Sequence, residues 1–253
     1  MRKDMAGPMP HNGKIEIDGE VFQHIGTLKE DAFARTELVE KDGKQYLFKV
    51  SRLALFGPLQ LRRVMNALTA HEVHIHNLLE GVHGVPKLVK RVSDNSFLRE
   101  FVEGRTLDRD PPELQPDFFD EFHEIVRNIH ARGVAFVDLA KKENVVVTTE
   151  GRPFLIDFQI SMAHRKGWGP VTLLWNVILR TMQRADIYHV FKHKRRIRPD
   201  LLTEEERLTC ARKPWFNRVH KYLFRKPYHL IKRRFIPRHG DSRYPLYERE
   251  PKD

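Results

Sequence analysis

The chain has 253 residues, about 40% hydrophobic and 31% charged, a composition ordinary for a soluble globular protein and a length that suits one large domain or two modest lobes. No stretch approaches the roughly 18 to 20 apolar residues needed to cross a bilayer, and the richest run, Val171 to Leu179, is short and broken by Asn176. A single cysteine, Cys210, excludes an intramolecular disulfide and a cysteine-based zinc site; it reads as a small buried residue. The net charge of +11 is uneven: from His164 onward there are 23 Lys and Arg against 9 Asp and Glu, whereas the preceding part holds 22 against 25. A near-neutral front joined to a basic back points to phosphate, nucleic acid or an anionic membrane surface as a partner of the back.

Along the chain, residues 1–14 carry Gly, Pro and charge without periodicity and are expected to be a disordered tail. Nothing there has the apolar core of a signal peptide, which places the expected protein in the cytoplasm. Short extended runs follow, Ile15 to Ile17, Ala34 to Val39 and Tyr46 to Val50, with Asp18-Gly19 and Asp42-Gly43 as turn signals. This is the pattern of an antiparallel sheet. A helix is expected over Leu59 to Glu80, ended by Gly81, then strands over Gly84 to Val92 and Ser96 to Val102, the second broken by Gly104. Past Asp110-Pro111-Pro112 the apolar residues Phe118, Phe122, Ile125, Val126 and Ile129 recur at helical spacing. An extended run, Val134 to Val137, leads into a polar loop; strands at Val145 to Val147 and Phe154 to Ile156 flank the turn Thr149-Glu150-Gly151. The remainder reads as helical and basic. Strands with one helix, then helices with one hairpin, describe an α+β protein with two lobes.

The chemistry concentrates between His130 and Phe158. Pairing Val145 with Ile156 would bring Asn144 and Asp157 to the same open end of a hairpin, where an amide oxygen and a carboxylate offer hard ligands for Mg²⁺ carrying nucleotide phosphates. Asp138, launched from the strand before, can orient an attacking hydroxyl and take its proton. Phosphoryl transfer asks for positioning, charge neutralisation and one such acceptor.

This order of residues resembles the protein-kinase-like superfamily: Asp138-Leu followed by Asn144, a hairpin, then Asp157-Phe158. Upstream, Tyr46-Leu-Phe-Lys49-Val resembles the strand whose lysine grips nucleotide phosphates, and Glu72 stands where that lysine's helix partner belongs. Ser96 to Gly104 resembles the strand and hinge whose backbone, around Glu100 to Val102, would bond adenine. Ile25-Gly26-Thr-Leu-Lys29-Glu30-Asp31-Ala-Phe33 resembles the reduced phosphate-covering loop of RIO-type kinases. The likeness spans about residues 22 to 162. It implies a two-lobed kinase fold, with residues 15–103 as the nucleotide-binding lobe, 104–200 as a reduced helical lobe and 201–253 as a basic aromatic extension. It also implies ATP and Mg²⁺, with Lys49, Glu72, Gly26, Lys29, Glu100 and Val102 toward nucleotide, Asn144 and Asp157 toward metal, and Asp138 as the catalytic carboxylate.

The departures are specific. Asn144 lies six residues after Asp138 where the family usually has five, so one residue must bulge out. Ala140 replaces a lysine, for which Lys141 or Lys142 could stand in. The phosphate loop keeps one glycine, Gln159 follows Asp157-Phe158, and no Ala-Pro-Glu comes after. These features resemble RIO-type and lipopolysaccharide core kinases more than ordinary protein kinases. The acceptor expected is a lipopolysaccharide-type sugar hydroxyl at the inner membrane face or a protein serine. The alternatives are a pseudokinase scaffold and an RNA-associated RIO-like ATPase that meets anionic partners through the basic end.

Among other residues, His71-Glu72-Val-His74-Ile-His76 does not meet zinc-protease spacing. Arg99 reads as a surface residue. The run Lys192 to Arg198 and the aromatics from Trp215 to Phe235 read as solvated faces, a membrane-interface surface or a nucleic-acid surface.

Overall fold

The structure, a computed structural model, describes residues 12–30, 34–51, 59–108 and 113–211, the first three residues of the first helix by backbone alone. The expected disordered tail falls almost wholly outside these residues, as do Asp31 to Phe33 of the expected phosphate loop and the extension beyond Ala211. The protein is α+β. Four strands, β1 (Lys14–Ile17), β2 (Glu20–Glu30), β3 (Ala34–Lys41) and β4 (Lys44–Ser51), precede helix α1 (Leu59–Leu78), and β5 (Leu88–Ser93) and β6 (Ser96–Glu100) follow it. These six strands form one antiparallel sheet in the order β1-β2-β3-β4-β6-β5. Then come β7 (Gly104–Thr106), α2 (Phe118–Ala131), β8 (Val134–Ala135), β9 (Val145–Thr148), β10 (Pro153–Leu155), β11 (Met162–Ala163), α3 (Pro170–Ile197) and α4 (Glu204–Ala211).

The described residues divide into two compact units, the first ending at His74 and resuming over Lys87–Phe101, the second comprising Ile75–Pro86 and the residues from Val102 on. In the first unit, Asp18-Gly19 and Asp42-Gly43 close two-residue hairpins with positive φ at both positions (+54° and +76°; +53° and +71°). That backbone twist matches the strands it joins. Although β1 and β5 lie at opposite ends of the strand order, Lys90 of β5 reaches Glu20 at 2.7 Å and Asp18 at 3.2 Å. The sheet therefore curls until its two ends meet, around a core of Ile15, Ile17, Phe22, Val39, Phe48 and Leu98. Hydrogen bonds from Lys41 and Lys90 hold the Glu20 carboxyl at about 2.

In the second unit, the apolar stripe of α2 is buried as its spacing requires, Phe118, Phe122, Ile125, Val126 and Ile129 all lying in the core with Phe136, Leu139, Val145 and Phe158. A second, smaller cluster joins Ala135, Val137 and Met162 to Leu179, Met182 and Ala185 of α3. Cys210 of α4 is buried, and burial pushes its thiol up. His193 and Lys194 are also buried, so the run Lys192 to Arg198 is not a wholly solvated face.

Several boundaries differ from the sequence reading. The strand expected from Gly84 begins only at Leu88, because Gly84 takes φ +76° and Pro86 follows. Gly104 opens β7, which pairs with β9, where it had been read as a break. The run Val134 to Val137 is cut to two residues by a φ of +73° at Val137. The hairpin register is one residue off: Val145 faces Leu155, and the Ile156 N–H bonds the Asn144 carbonyl at 3.0 Å. Beyond Phe158 a further strand, β11, pairs with β8 before the helices begin.

Gly104 is fixed by close approach. A Cβ there would lie 2.1 Å from the Val147 carbonyl oxygen, and φ is +156°. Gly104→Ala is expected to lower unfolding free energy by about 3 kcal/mol, since the obstructing atom is backbone and the conformation disfavours a side chain. Denaturant unfolding followed by circular dichroism measures it; a change under about 0.5 kcal/mol contradicts the close approach.

Candidate functional site

In the first unit, alternation along β4 sends Phe48 and Val50 into the core and Lys49 and Ser51 to the other face. Helix α1 presents Thr69 and Glu72, one turn apart, to that face. Ser51 Oγ and Thr69 Oγ1 are 3.0 Å apart, and Lys49 Nζ lies 2.9 Å from each Glu72 carboxylate oxygen. Two contacts thus set the register of helix on strand, and three of the four residues are buried, with Lys49 half-buried. A charge pair withdrawn from water in this way is weak support for stability, because desolvation offsets much of the attraction.

Gly26 and Lys29 lie within β2 and not in a loop: Gly26 faces Leu38, and Lys29 faces Thr36, which in turn faces Lys49. Lys29, Thr36 and Lys49 therefore share one face, the lysines two strand spacings or about 10 Å apart. A Cβ at Gly26 would meet nothing within 4 Å, so packing does not require glycine there. The segment is extended because of a residue the sequence reading passed over. Glu37 of β3, fully buried, accepts hydrogen bonds from His24 Nε2 and Thr27 Oγ1 at 2.7 Å each, and from Arg35 Nε. Burial, the largest influence, pushes its carboxyl up, but these three partners together hold it below the ordinary value. Register shifts on either side of Gly26 and Thr27 let β2 bulge around this carboxylate.

At the expected hinge, the Glu100 N–H donates to the Lys87 carbonyl at 2.9 Å, and the Glu100 carbonyl accepts from Arg99 Nη1 at 3.0 Å. Arg99 is buried and not the surface residue expected. The division between the two units falls between Phe101 and Val102.

In the second unit, the chain from Phe136 to Asn144 is folded tightly. The Asp138 N–H donates to the Phe136 carbonyl at 2.9 Å across Val137, a γ-turn with positive φ that is rare and strained, more so at a β-branched residue. Asp186 of α3 holds the turn: its fully buried carboxylate accepts the Phe136 N–H at 2.8 Å and the Val137 N–H at 2.9 Å, with His130 Nε2 at 3.1 Å. Burial, the dominant influence, pushes the Asp186 carboxyl up against the pull of His130 and the two amides. Below the turn, His193 Nε2 donates to the Leu139 carbonyl at 2.8 Å. Burial holds that imidazole down at about 4, so it is neutral at pH 7.

Asp138 is buried, and Lys141 Nζ pairs with its Oδ2. Between Asp138 and Asn144 the chain closes with a 3₁₀ turn, Lys142–Asn144. Asn144 Nδ2 donates to the Asp138 carbonyl at 3.2 Å, which leaves Oδ1 as its acceptor, and the Asn144 carbonyl holds the Ile156 N–H next to Asp157. Asp157 itself has φ +68°. Strained backbone of this kind persists where surrounding structure over-determines it, and functional sites collect it. Phe158 anchors the segment, packed edge-on against Phe136 at 5.0 Å and His76 at 5.2 Å.

As a donor set, one amide oxygen and one or two carboxylates fit Mg²⁺, which takes few protein ligands and completes its shell with water and substrate phosphate. Among the described residues no group of three or more His, Cys, Asp and Glu could hold a metal by itself, and the His71 to His76 run forms none. The sequence matches no protein-family model and no curated protein.

Asp186, His193 and Glu37 were missed by sequence reasoning. Asp186 did carry a signal: it is the only acidic residue between Asp157 and Asp200.

Asp186→Ala leaves two buried amides without their acceptor and is expected to cost about 3 kcal/mol in denaturant unfolding. His193 gives a pH signature. Its folded value lies below the unfolded one of about 6.5, so the unfolded chain binds more protons between these values and stability falls as pH drops through that window. Wild type is expected to lose about 3 kcal/mol more than His193→Gln between pH 6.5 and 4; parallel stability curves for the two proteins contradict this.

Proposed function

We propose that the protein is an ATP- and Mg²⁺-dependent phosphotransferase of the protein-kinase-like type, acting on a hydroxyl acceptor. The observation that carries the reading is the Lys49–Glu72 pair. A lysine and a glutamate 23 residues apart meet with both carboxylate oxygens at 2.9 Å, on the sheet face that Lys29 shares. A withdrawn pair of this kind adds little stability, and it pre-orients one cation for anionic oxygens.

In this mechanism Lys49, oriented by Glu72, holds nucleotide phosphates, with Lys29 as a second cation. Asn144 Oδ1 and Asp157 would hold Mg²⁺, which would supply charge neutralisation on the transferring phosphoryl group. Asp138 receives the acceptor hydroxyl's hydrogen bond and takes its proton as the oxygen–phosphorus bond forms; the leaving oxygen departs with the nucleoside diphosphate. Lys141 beside Asp138 stabilises negative charge at the transferring group once the acceptor enters. The strained turn at Val137, pinned by Asp186, keeps the Asp138 carboxylate in place without reorganisation.

A scaffold without turnover is the second reading. It is favoured by the extended β2 in place of a glycine-rich loop and by the Lys141 charge already lying on Asp138.

Asp138→Asn is expected to reduce phosphate transfer by at least about a hundredfold while leaving nucleotide affinity within about threefold. Lys49→Met is expected to weaken nucleotide binding itself. Transfer from labelled ATP to cell-envelope and protein fractions, with binding followed by calorimetry, checks both. ATP bound by wild type with no turnover on any fraction supports the scaffold reading, and full activity in Asp138→Asn overturns the assignment.

A further inference from the structure

The first third of α3 is apolar on both sides. Its inner side, Trp175, Leu179 and Met182, packs into the second unit, and Trp175 Nε1 donates to the Ala163 carbonyl at 2.8 Å. A surface helix normally turns polar residues outward. Here the outer side carries Val171 at 70% exposure, Leu173 at 68%, Leu174 at 62% and Val177 at 52%, beside Ile178 and the fully exposed Trp168. Side chains of this size, contiguous and in water, mark an interaction surface.

Charge narrows the partner. From His164 to Ala185 there are four cations, Arg165, Lys166, Arg180 and Arg184, and no carboxylate. Two stand just before the apolar turns and two just after, and all four residues are exposed except that Arg165 also covers the Trp175 ring at 4.2 Å. An apolar helical surface with tryptophan and rimmed by cations is the composition of a segment that lies in a bilayer interface. A second copy would bring the same cations face to face. Residues 212–253 hold 13 Lys and Arg against 4 Asp and Glu, so that segment is no better matched to the rim. No helix among the described residues is long and apolar enough to cross a membrane.

We infer that residues 168–178 form a docking surface for an anionic lipid bilayer, with Trp168, Leu174 and Val177 entering the headgroup region and the four cations pairing with lipid phosphates. The same helix holds the strained turn through Asp186, twelve residues or about 18 Å further along its axis. Docking there sets the Asp138 loop at a fixed distance from the lipid surface. The inference rests on exposure and charge alone. A failed transfer assay leaves it standing, and failed docking leaves the transfer reading standing.

The test is co-sedimentation of the full chain with phosphatidylcholine vesicles, with and without phosphatidylglycerol. Wild type is expected to bind the anionic vesicles, and Leu174→Glu/Val177→Glu to bind them about tenfold more weakly with unchanged melting temperature. Should the double variant melt lower, Trp168→Ala/Leu174→Ser carries the same readout. Tryptophan quenching by brominated lipid is expected in wild type and largely lost in Trp168→Phe. The proposal is overturned if vesicle binding is absent, if it is unchanged by the apolar substitutions and so rests on other basic segments, or if wild type is a dimer that the double variant separates into monomers.

Discussion

One buried carboxylate holds the turn before Asp138 in place. Asp186 accepts two consecutive backbone amides, Phe136 and Val137, at 2.8 and 2.9 Å, inside apolar packing. Without that acceptor the amides would be buried and unpaired, and Val137 would have no reason to hold positive φ. With it, the chain turns sharply just before Asp138, and the side chain of Val137 enters the cluster around Leu179 and Met182. The arrangement depends on electrostatics in a medium that cannot screen them: the same burial that raises the carboxyl's proton affinity also strengthens its bonds to the amides and to His130. His193, kept neutral by burial, adds a second tie at Leu139 from the same helix, about two turns further on.

The first unit uses buried charge differently. Glu37 of β3 points to the sheet face that Phe48 shares, and Glu72 of α1 meets the opposite face through Lys49. Glu37 is saturated by His24, Thr27 and Arg35, and its work is local: it shapes β2. Glu72 faces a lysine at the end of a long stem, and its contact is supported from the side by the Ser51–Thr69 bond. A polar pair needs this kind of buttress because desolvation makes its net attraction small. Neutral hydroxyls supply that geometry.

How much of this was legible in the sequence depended on whether the cause was local. The Asp42-Gly43 hairpin and the α2 stripe were readable because two positive-φ residues and a 3.6-residue period are properties of neighbours in the chain. The segment Ile25 to Glu30 was misread as a loop because its strand is stabilised from the next strand by a buried glutamate, and no apolar alternation advertises that. Lys49, Glu72, Asp138, Asn144 and Asp157 were legible as a set of residue types in an order. Their anchors were not, since Asp186 acts on a backbone 49 and 50 residues earlier. The register error at Val145 came from assuming a symmetric hairpin, whereas the Ile156 N–H is drawn to the Asn144 carbonyl.

Helix α3 joins two demands that a single amphipathic helix could not meet. Over its second half it must be buried, because Asp186 and His193 can hold backbone only from inside the core. Over its first half the inner side must still pack, through Trp175 and Leu179, while the outer side stays apolar in the open. Selection for solubility would replace Leu173, Leu174 and Val177 with polar residues at almost no cost to packing, since none of them is buried. Their presence beside four cations and no anion is accounted for when the helix has a second medium to face. Docked on lipid as inferred, a rigid helix buried at its other end would set a defined height for the loop it carries, with no moving part required.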